Sequence, residues 1–91
     1  MSLTCELKNV RSTQDFYTQL ARGLQLPAHF GKNLDALFDA LTGDVKGPAT
    51  VFWHESIAAR NEMGEEHFEE IIGALYEAAG ERDDLQIWLG L

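Results

Sequence analysis

Stretches of helical periodicity separate the three strand-like segments of this 91-residue chain. The strand-like segments are residues 3–7, 49–53 and 85–91; the first and last alternate apolar with other residues, whereas 49–53 is an unbroken β-favouring run. Such a run is typical of a strand that is central in its sheet or covered on both faces. Helices between successive strands favour parallel crossovers. The segment order therefore predicts an α/β fold, a small three-stranded parallel sheet flanked by helices.

Capping and breaking residues bound the first and last helical segments. Residues 13–24 follow Ser12, a good N-cap, and end before a proline. Apolar residues recur at helical spacing through 65–79 and form a wide stripe, so we expect a long helix that stops at Gly80. Residues 54–64 are polar apart from one apolar pair, so they predict only a short helical turn on the surface.

The second helical segment, residues 34–42, has the clearest pattern. Asn33 is a good N-cap, and Gly43 supplies a C-terminal stop. Apolar residues recur at i, i+3, i+4 and i+7 and therefore share one face of the helix. These residues are Leu34, Leu37, Phe38 and Leu41. We expect the three leucines to be buried under the sheet.

The opposite face of this helix carries Asp35 and Asp39, and Asp44 follows the predicted stop, so three carboxylates could share one rim. Like charges four residues apart destabilise an isolated helix by about 0.2–0.5 kcal/mol. A solvated face, the acid and base of a hydrolase, and a binding rim are the possible interpretations. An exposed helix offers no apolar wall to separate acid from base, which disfavours catalysis. The glutamates of residues 62–77 are interpreted as a solvated outer face of the long helix.

Length and composition exclude several classes of protein. A chain of 91 residues has the size of one domain, so we expect a single domain over residues 1–91. The longest apolar run is a few residues, far short of the roughly 20 that cross a bilayer, so we expect no membrane association. A chain of this size has little apolar area for a deep ligand pocket. Large-pocket enzymes are therefore disfavoured.

Charge narrows the range of partners. Seven Lys and Arg against fifteen Asp and Glu give a net charge of −8, and residues 49–91 hold two of these bases and ten of the acids. A phosphate-binding surface needs the opposite sign, so we expect no direct binding of nucleic acid. The summed field of an acidic protein instead attracts basic partners.

Signatures of metal or nucleophilic chemistry are missing from the sequence. His29, His54 and His67 lie far apart, and there is no HExxH motif or glycine-rich nucleotide loop. Cys5 is the only cysteine and lies on the predicted buried face of the first strand, which excludes an intrachain disulfide and a Cys-based zinc site. We therefore expect no catalytic residues, no metal and no cofactor. The single cysteine and the lack of an apolar leader predict a cytoplasmic location.

Residues 26–43, LPAHFGKNLDALFDALTG, resemble the barstar family, the intracellular inhibitors of the ribonuclease barnase. The shared pattern is LP..(Y/F)G.NLDAL.D.LTG, which is specific because it is long and uninterrupted. The likeness continues through residues 10–12 and 48–53 and the last helix and strand, with length variation in 54–66. It therefore covers nearly the whole chain, and it implies a cis bond at Gly47–Pro48.

The resemblance implies an inhibitor rather than an enzyme, monomeric when free, whose second helix and flanking loops plug the active site of a small basic, barnase-like ribonuclease. In that family the carboxylate matching Asp39 takes the place of a substrate phosphate, and the one matching Asp35 adds a second pairing. The contact positions carried over are His29, Gly31, Asn33, Leu34, Asp35, Phe38, Asp39, Thr42, Gly43, Asp44 and Glu77.

Several of these positions depart from the family's pattern. Barstar has tyrosine at the position of His29 and tryptophan at the positions of Phe38 and Asp44, and His29 and Asp44 would face a partner. Glu77 matches a peripheral acidic contact when the insertion is placed before the long helix. The alternative is therefore a barstar-fold interaction module with a non-ribonuclease or altered target.

Overall fold

The structure, a computed structural model, describes residues 2–91. In this part of the chain, three strands form one sheet in the order β1 (Leu3–Leu7), β2 (Ala49–Trp53), β3 (Leu85–Leu89). Both strand pairs are parallel, and Ala49 lies between Leu3 and Leu85 in the register. The predicted α/β class and the three-stranded parallel sheet are confirmed.

Four helices connect the strands within the described residues. They are α1 (Thr13–Gly23), α2 (Leu34–Asp39), which continues directly into a π turn (Ala40–Asp44), α3 (Ser56–Met63) and α4 (Glu65–Glu81). Ser12 caps α1, because its Oγ accepts a hydrogen bond from the Asp15 N–H at 3.1 Å. α4 passes the predicted stop at Gly80 by one residue, which is within the usual uncertainty of helix ends.

α3 is longer than the short turn that the sequence predicts. Its buried residues, Ser56, Ala59 and Met63, form a narrow stripe that a polar composition conceals. The buried hydroxyl of Ser56 is satisfied, because it donates to the carbonyl of Gly90 at 2.8 Å. Packing against the rest of the molecule therefore stabilises a helix that its own sequence pattern only weakly favours.

The core lies between one face of the sheet and the helices. Trp53 of β2 is fully buried, and its ring stacks on Phe16 of α1 with centroids 5.0 Å apart. The same indole lies 5.2 Å from the ring of Phe68 on α4. Aromatic pairs at such distances add to the stabilisation that comes from burial. α1 and α4 thus pack against the same strand, and α2 packs against α4.

The other face of the sheet is not covered by a helix. It carries alternate residues of the strands, and none of them is buried: Thr4, Glu6, Thr50, Phe52, Gln86 and Trp88. The prediction that β2 is either central or covered on both faces is confirmed by its central position, and helices cover only one of its faces. Phe52 is half-buried although no helix covers it. The ring of His54 packs against its ring, with the two centroids 4.4 Å apart.

Four residues, 45–48, connect the π turn to β2. The Gly47–Pro48 bond is cis, as the resemblance implies. The Pro48 carbonyl accepts from the Leu3 N–H at 2.9 Å, and the Asp84 carbonyl accepts from the Ala49 N–H at 2.8 Å. These bonds join the start of β2 to both neighbouring strands, so the C-terminal end of α2 lies close to the start of β3.

Candidate functional site

A side-chain cap and buried leucines position α2. The Oδ1 atom of Asn33 accepts from the Ala36 N–H at 2.8 Å, which satisfies one of the free N–H groups of the first turn. Leu37 and Leu41 are fully buried, whereas Leu34 is only half-buried. The prediction of buried leucines is therefore confirmed for Leu37 and Leu41 and wrong for Leu34, which is only partly buried at the edge of α2.

The C-terminal end of α2 differs from the prediction. The helix does not stop at Gly43 but widens into the π turn, which a bond from the Val45 N–H to the Ala40 carbonyl closes at 2.9 Å. The Thr42 hydroxyl donates to the Phe38 carbonyl at 2.8 Å, so a side chain satisfies that group. Widened turns of this kind are frequent at functional sites. The turn leaves Thr42 half-buried and Gly43 exposed.

Asp35 and Asp39 are both exposed, as predicted, and they line an open groove between α2 and α4. α4 contributes three further carboxylates to this groove: Glu69, Glu70 and Glu77. The remaining lining residues are small or apolar: Leu34, Phe38, Gly73 and Ala74. We call this surface the acidic groove, because five carboxylates surround a short apolar strip.

The negative charge of the acidic groove is not neutralised within the described chain. Of its five carboxylates, only Glu70 has a basic group within ion-pair distance among residues 2–91, the Nδ1 atom of His67 at 3.7 Å. Both side chains of that pair are about half exposed or more, and exposed pairs contribute little. Burial and, second, the charge of Glu70 raise the pKa of the Tyr17 phenol beside it. The groove therefore presents uncompensated negative charge to solvent.

The structure brings together only some of the predicted partner-binding residues. Five of them line the acidic groove: Leu34, Asp35, Phe38, Asp39 and Glu77. Asn33 lines a neighbouring depression with Glu70. His29 and Gly31 are exposed in the loop before α2.

Asp44 lies apart from the acidic groove. It is exposed and lines a separate depression with Lys46, Leu3, Leu24 and Gln25. Asp44 thus lines a different depression from Asp35 and Asp39. A rim shared by all three carboxylates stays a prediction.

Sequence reasoning missed Glu69 and Glu70, which it assigned to a solvated outer face. Both are exposed, but they face the same groove as Asp35 and Asp39. A signal was present, because residues 69, 73 and 77 are four apart and share one stripe of α4. Gly73 at the centre of that stripe costs helix stability, and nothing lies within 4 Å of where its Cβ would be.

The structure describes no group of three His, Cys, Asp or Glu side chains that could hold a metal ion among residues 2–91. In the same part of the chain, no helix has both the length and the apolar character that a membrane span needs. Cys5 is buried, and burial together with the charge of Glu6 raises the pKa of its thiol to about 11. The thiol is therefore protonated near neutral pH and is a poor nucleophile.

Comparison with protein families places the whole chain in one family. A family model described as Barstar (barnase inhibitor) matches residues 1–91, the whole chain. This chain belongs to the barstar family. The match confirms the resemblance seen in residues 26–43, and it includes both helices of the acidic groove. In this barstar-family protein, the pattern NLDAL.D.LTG thus forms the capped helix and π turn that present Asp35 and Asp39.

Proposed function

We propose that this barstar-family protein inhibits a small basic, barnase-like ribonuclease in the cytoplasm of the cell that makes it. The observation that carries the proposal is the pair Asp35 and Asp39, which is exposed and has no basic partner within residues 2–91. The pair stands on a helix with a capped start and a buried inner face. The family's description, barnase inhibitor, supports the class of partner.

The proposed mechanism is occupation of a phosphate site by carboxylates. Carboxylate and phosphate both present oxygen acceptors to guanidinium groups in bidentate geometry, so one can replace the other. Asp39 lies among the basic groups of the enzyme that bind a substrate phosphate, and Asp35 forms a second pairing. RNA and inhibitor then compete for one site. The inhibitor acts as a monomer built from one domain and catalyses no reaction.

The environment of the two aspartates favours binding over catalysis. A carboxylate pair that works as acid and base needs one member against an apolar wall, whereas Asp35 and Asp39 are both exposed. A basic partner would relieve the repulsion among the carboxylates of the acidic groove. The net charge of −8 also accelerates encounter with a basic protein, an effect for which barnase and barstar are the established example.

The test is inhibition of RNA cleavage by barnase and by the host's own small basic ribonucleases. We expect stoichiometric inhibition by the wild-type protein and a large loss with Asp39→Asn, which removes one charge at nearly constant volume. Glu66→Gln is the matched control, because Glu66 is exposed on α4 but does not line the acidic groove. Equal inhibition by the two variants, or no inhibition of any such ribonuclease by the wild type, would contradict the proposal.

A second candidate is an interaction module with an altered or non-ribonuclease target. The observation that favours it is the exposure of His29 and Asp44, where the residues differ from those of barstar. Restoring the family's residues in a His29→Tyr, Asp44→Trp double variant separates the two candidates. A gain in affinity for barnase supports a ribonuclease partner, whereas no binding of barnase by either form favours the second candidate.

A further inference from the structure

Arg82 follows the last residue of α4 and reaches across to the end of α2. Its side chain is only 15% exposed. One nitrogen, Nη1, donates to the Leu41 carbonyl at 2.7 Å and to the Val45 carbonyl at 2.8 Å. The Nε and Nη2 atoms donate to the two carboxylate oxygens of Asp84 at 2.9 and 3.1 Å. The guanidinium thus joins three segments of the chain.

One of the two carbonyls that Arg82 binds lies near the start of the π turn, and the other belongs to the residue that follows it. The last carbonyls of a helix have no partner inside the helix, so a side chain or water must satisfy them. A charged donor makes these bonds stronger than neutral ones, and a positive charge at a helix C-terminus is favourable. Because Leu41 and Val45 lie on either side of Thr42, Gly43 and Asp44, the guanidinium restrains both ends of that segment.

Asp84 and Gly47 restrain the guanidinium in turn. The bidentate pair with Asp84 sets the plane of the guanidinium, which aims Nη1 at the two carbonyls. The backbone of Gly47 passes directly over this pair. A Cβ at Gly47 would collide with the Asp84 carboxylate and come within 2.7 Å of Nη2 of Arg82. The absence of a side chain at residue 47 therefore lets the loop close over the pair.

We infer that Arg82 is a positioning residue of the binding surface. It makes no proposed contact with the partner, but it orders the π turn and thereby positions Thr42, Gly43 and Asp44, three of the predicted contact residues. The effect of Arg82 on binding rests on the proposed function, whereas its effect on the order of the π turn does not. Asp84 and Gly47 act through Arg82, because they hold its guanidinium in place.

The test compares Arg82→Lys with Arg22→Lys. Both substitutions keep the net charge, and Arg22 is an exposed residue of α1. Lysine at residue 82 loses the planar fork that serves two carbonyls and a carboxylate together. We expect amide hydrogen exchange at residues 42–45 to accelerate roughly tenfold in Arg82→Lys, with the core amides of α1 and α4 unchanged. Arg22→Lys leaves all of these rates unchanged.

Binding kinetics supply the second measurement, with barnase or the host ribonuclease that the wild type inhibits. We expect the dissociation rate of Arg82→Lys to rise roughly tenfold while the association rate stays constant, because the charge is unchanged. Gly47→Ala, whose added Cβ would displace the Asp84 carboxylate and crowd Nη2 of Arg82, should move both measurements in the same direction.

Three results would overturn the inference. They are unchanged exchange at residues 42–45, an acceleration spread evenly over the whole chain, and faster local exchange with an unaltered dissociation rate. The even acceleration would assign Arg82 a general role in stability. A wild-type protein that binds no ribonuclease would contradict the proposed function instead, and hydrogen exchange alone would then decide whether Arg82 orders the π turn.

Discussion

The acidic groove and the corner where α4 leads into β3 use carboxylates in opposite ways. At the corner, Asp84 accepts two hydrogen bonds from Arg82, and these bonds are the main cause that lowers the pKa of its carboxyl. In the acidic groove, Asp35 and Asp39 have no basic group at ion-pair distance within the described chain. A carboxylate paired inside the chain stabilises the fold. An unpaired carboxylate instead repels its neighbours in the free protein and can form its ion pair only with another molecule.

The largest effect should come from the centre of the acidic groove. Asp39→Ala should weaken the ribonuclease complex by about 2–5 kcal/mol, the cost of leaving a desolvated charge unpaired, a range established partly on barnase and barstar. The free energy of unfolding should not fall, because Asp39 has no ion pair to lose and its removal relieves the repulsion with Asp35. Titration calorimetry and urea unfolding measure the two quantities. If Asp39→Ala bound the ribonuclease as tightly as the wild type, the carboxylates of the acidic groove could not be said to serve binding while Asp84 serves the fold.

Asp35→Ala should weaken the ribonuclease complex less than Asp39→Ala does, by about 1–2 kcal/mol of binding free energy. Asp35 also complements the positive end of α2, and the Asn33 cap retains the start of the helix without it. The dissociation constant and the helix content by circular dichroism test both parts. A loss of helix content would mean that the aspartate supports the fold rather than the partner.

A smaller effect should separate two glutamates of α4. Glu69 lines the acidic groove and Glu66 does not, so Glu69→Gln should slow association a few-fold more than Glu66→Gln. Added salt should erase the difference, because these charges act through a screened field. Stopped-flow association at two ionic strengths is the measurement. If Glu69→Gln weakened binding more than Asp39→Ala, the assignment of the binding face to α2 would be wrong.

The smallest effect should appear at the corner and depend on pH. The pKa of Asp84 lies below the ordinary value of 3.8, so its pairing stabilises the fold above that pH and is lost as the pH falls through the lower, folded-state pKa. Asp84→Asn should therefore reduce the free energy of unfolding at pH 7, and the difference from wild type should shrink below about pH 4. Urea unfolding across this range tests the sign. A difference that grows on acidification would contradict the pairing.

The sequence by itself determined the three strands, most of the helices and the presentation of the central aspartates. The Asn33 cap, the apolar row that contains Leu37 and Leu41, and the alternation in β1 act over a few residues, so local patterns suffice to predict them. The same locality explains why Asp35 and Asp39 could be placed on an exposed face, and why one uninterrupted motif in residues 26–43 sufficed to indicate the family.

Only the tertiary structure decided what surrounds those aspartates. Periodicity tells which face of an element is apolar but not which element covers it. The lack of a helix over one face of β2 and the presence of Glu69 in the same groove as Asp39 therefore had to come from packing. The π turn likewise depends on a distant residue, because Arg82 binds a carbonyl 41 residues away. A contact of that separation leaves no local trace in the chain, since its partners become neighbours only after the helices pack on the sheet.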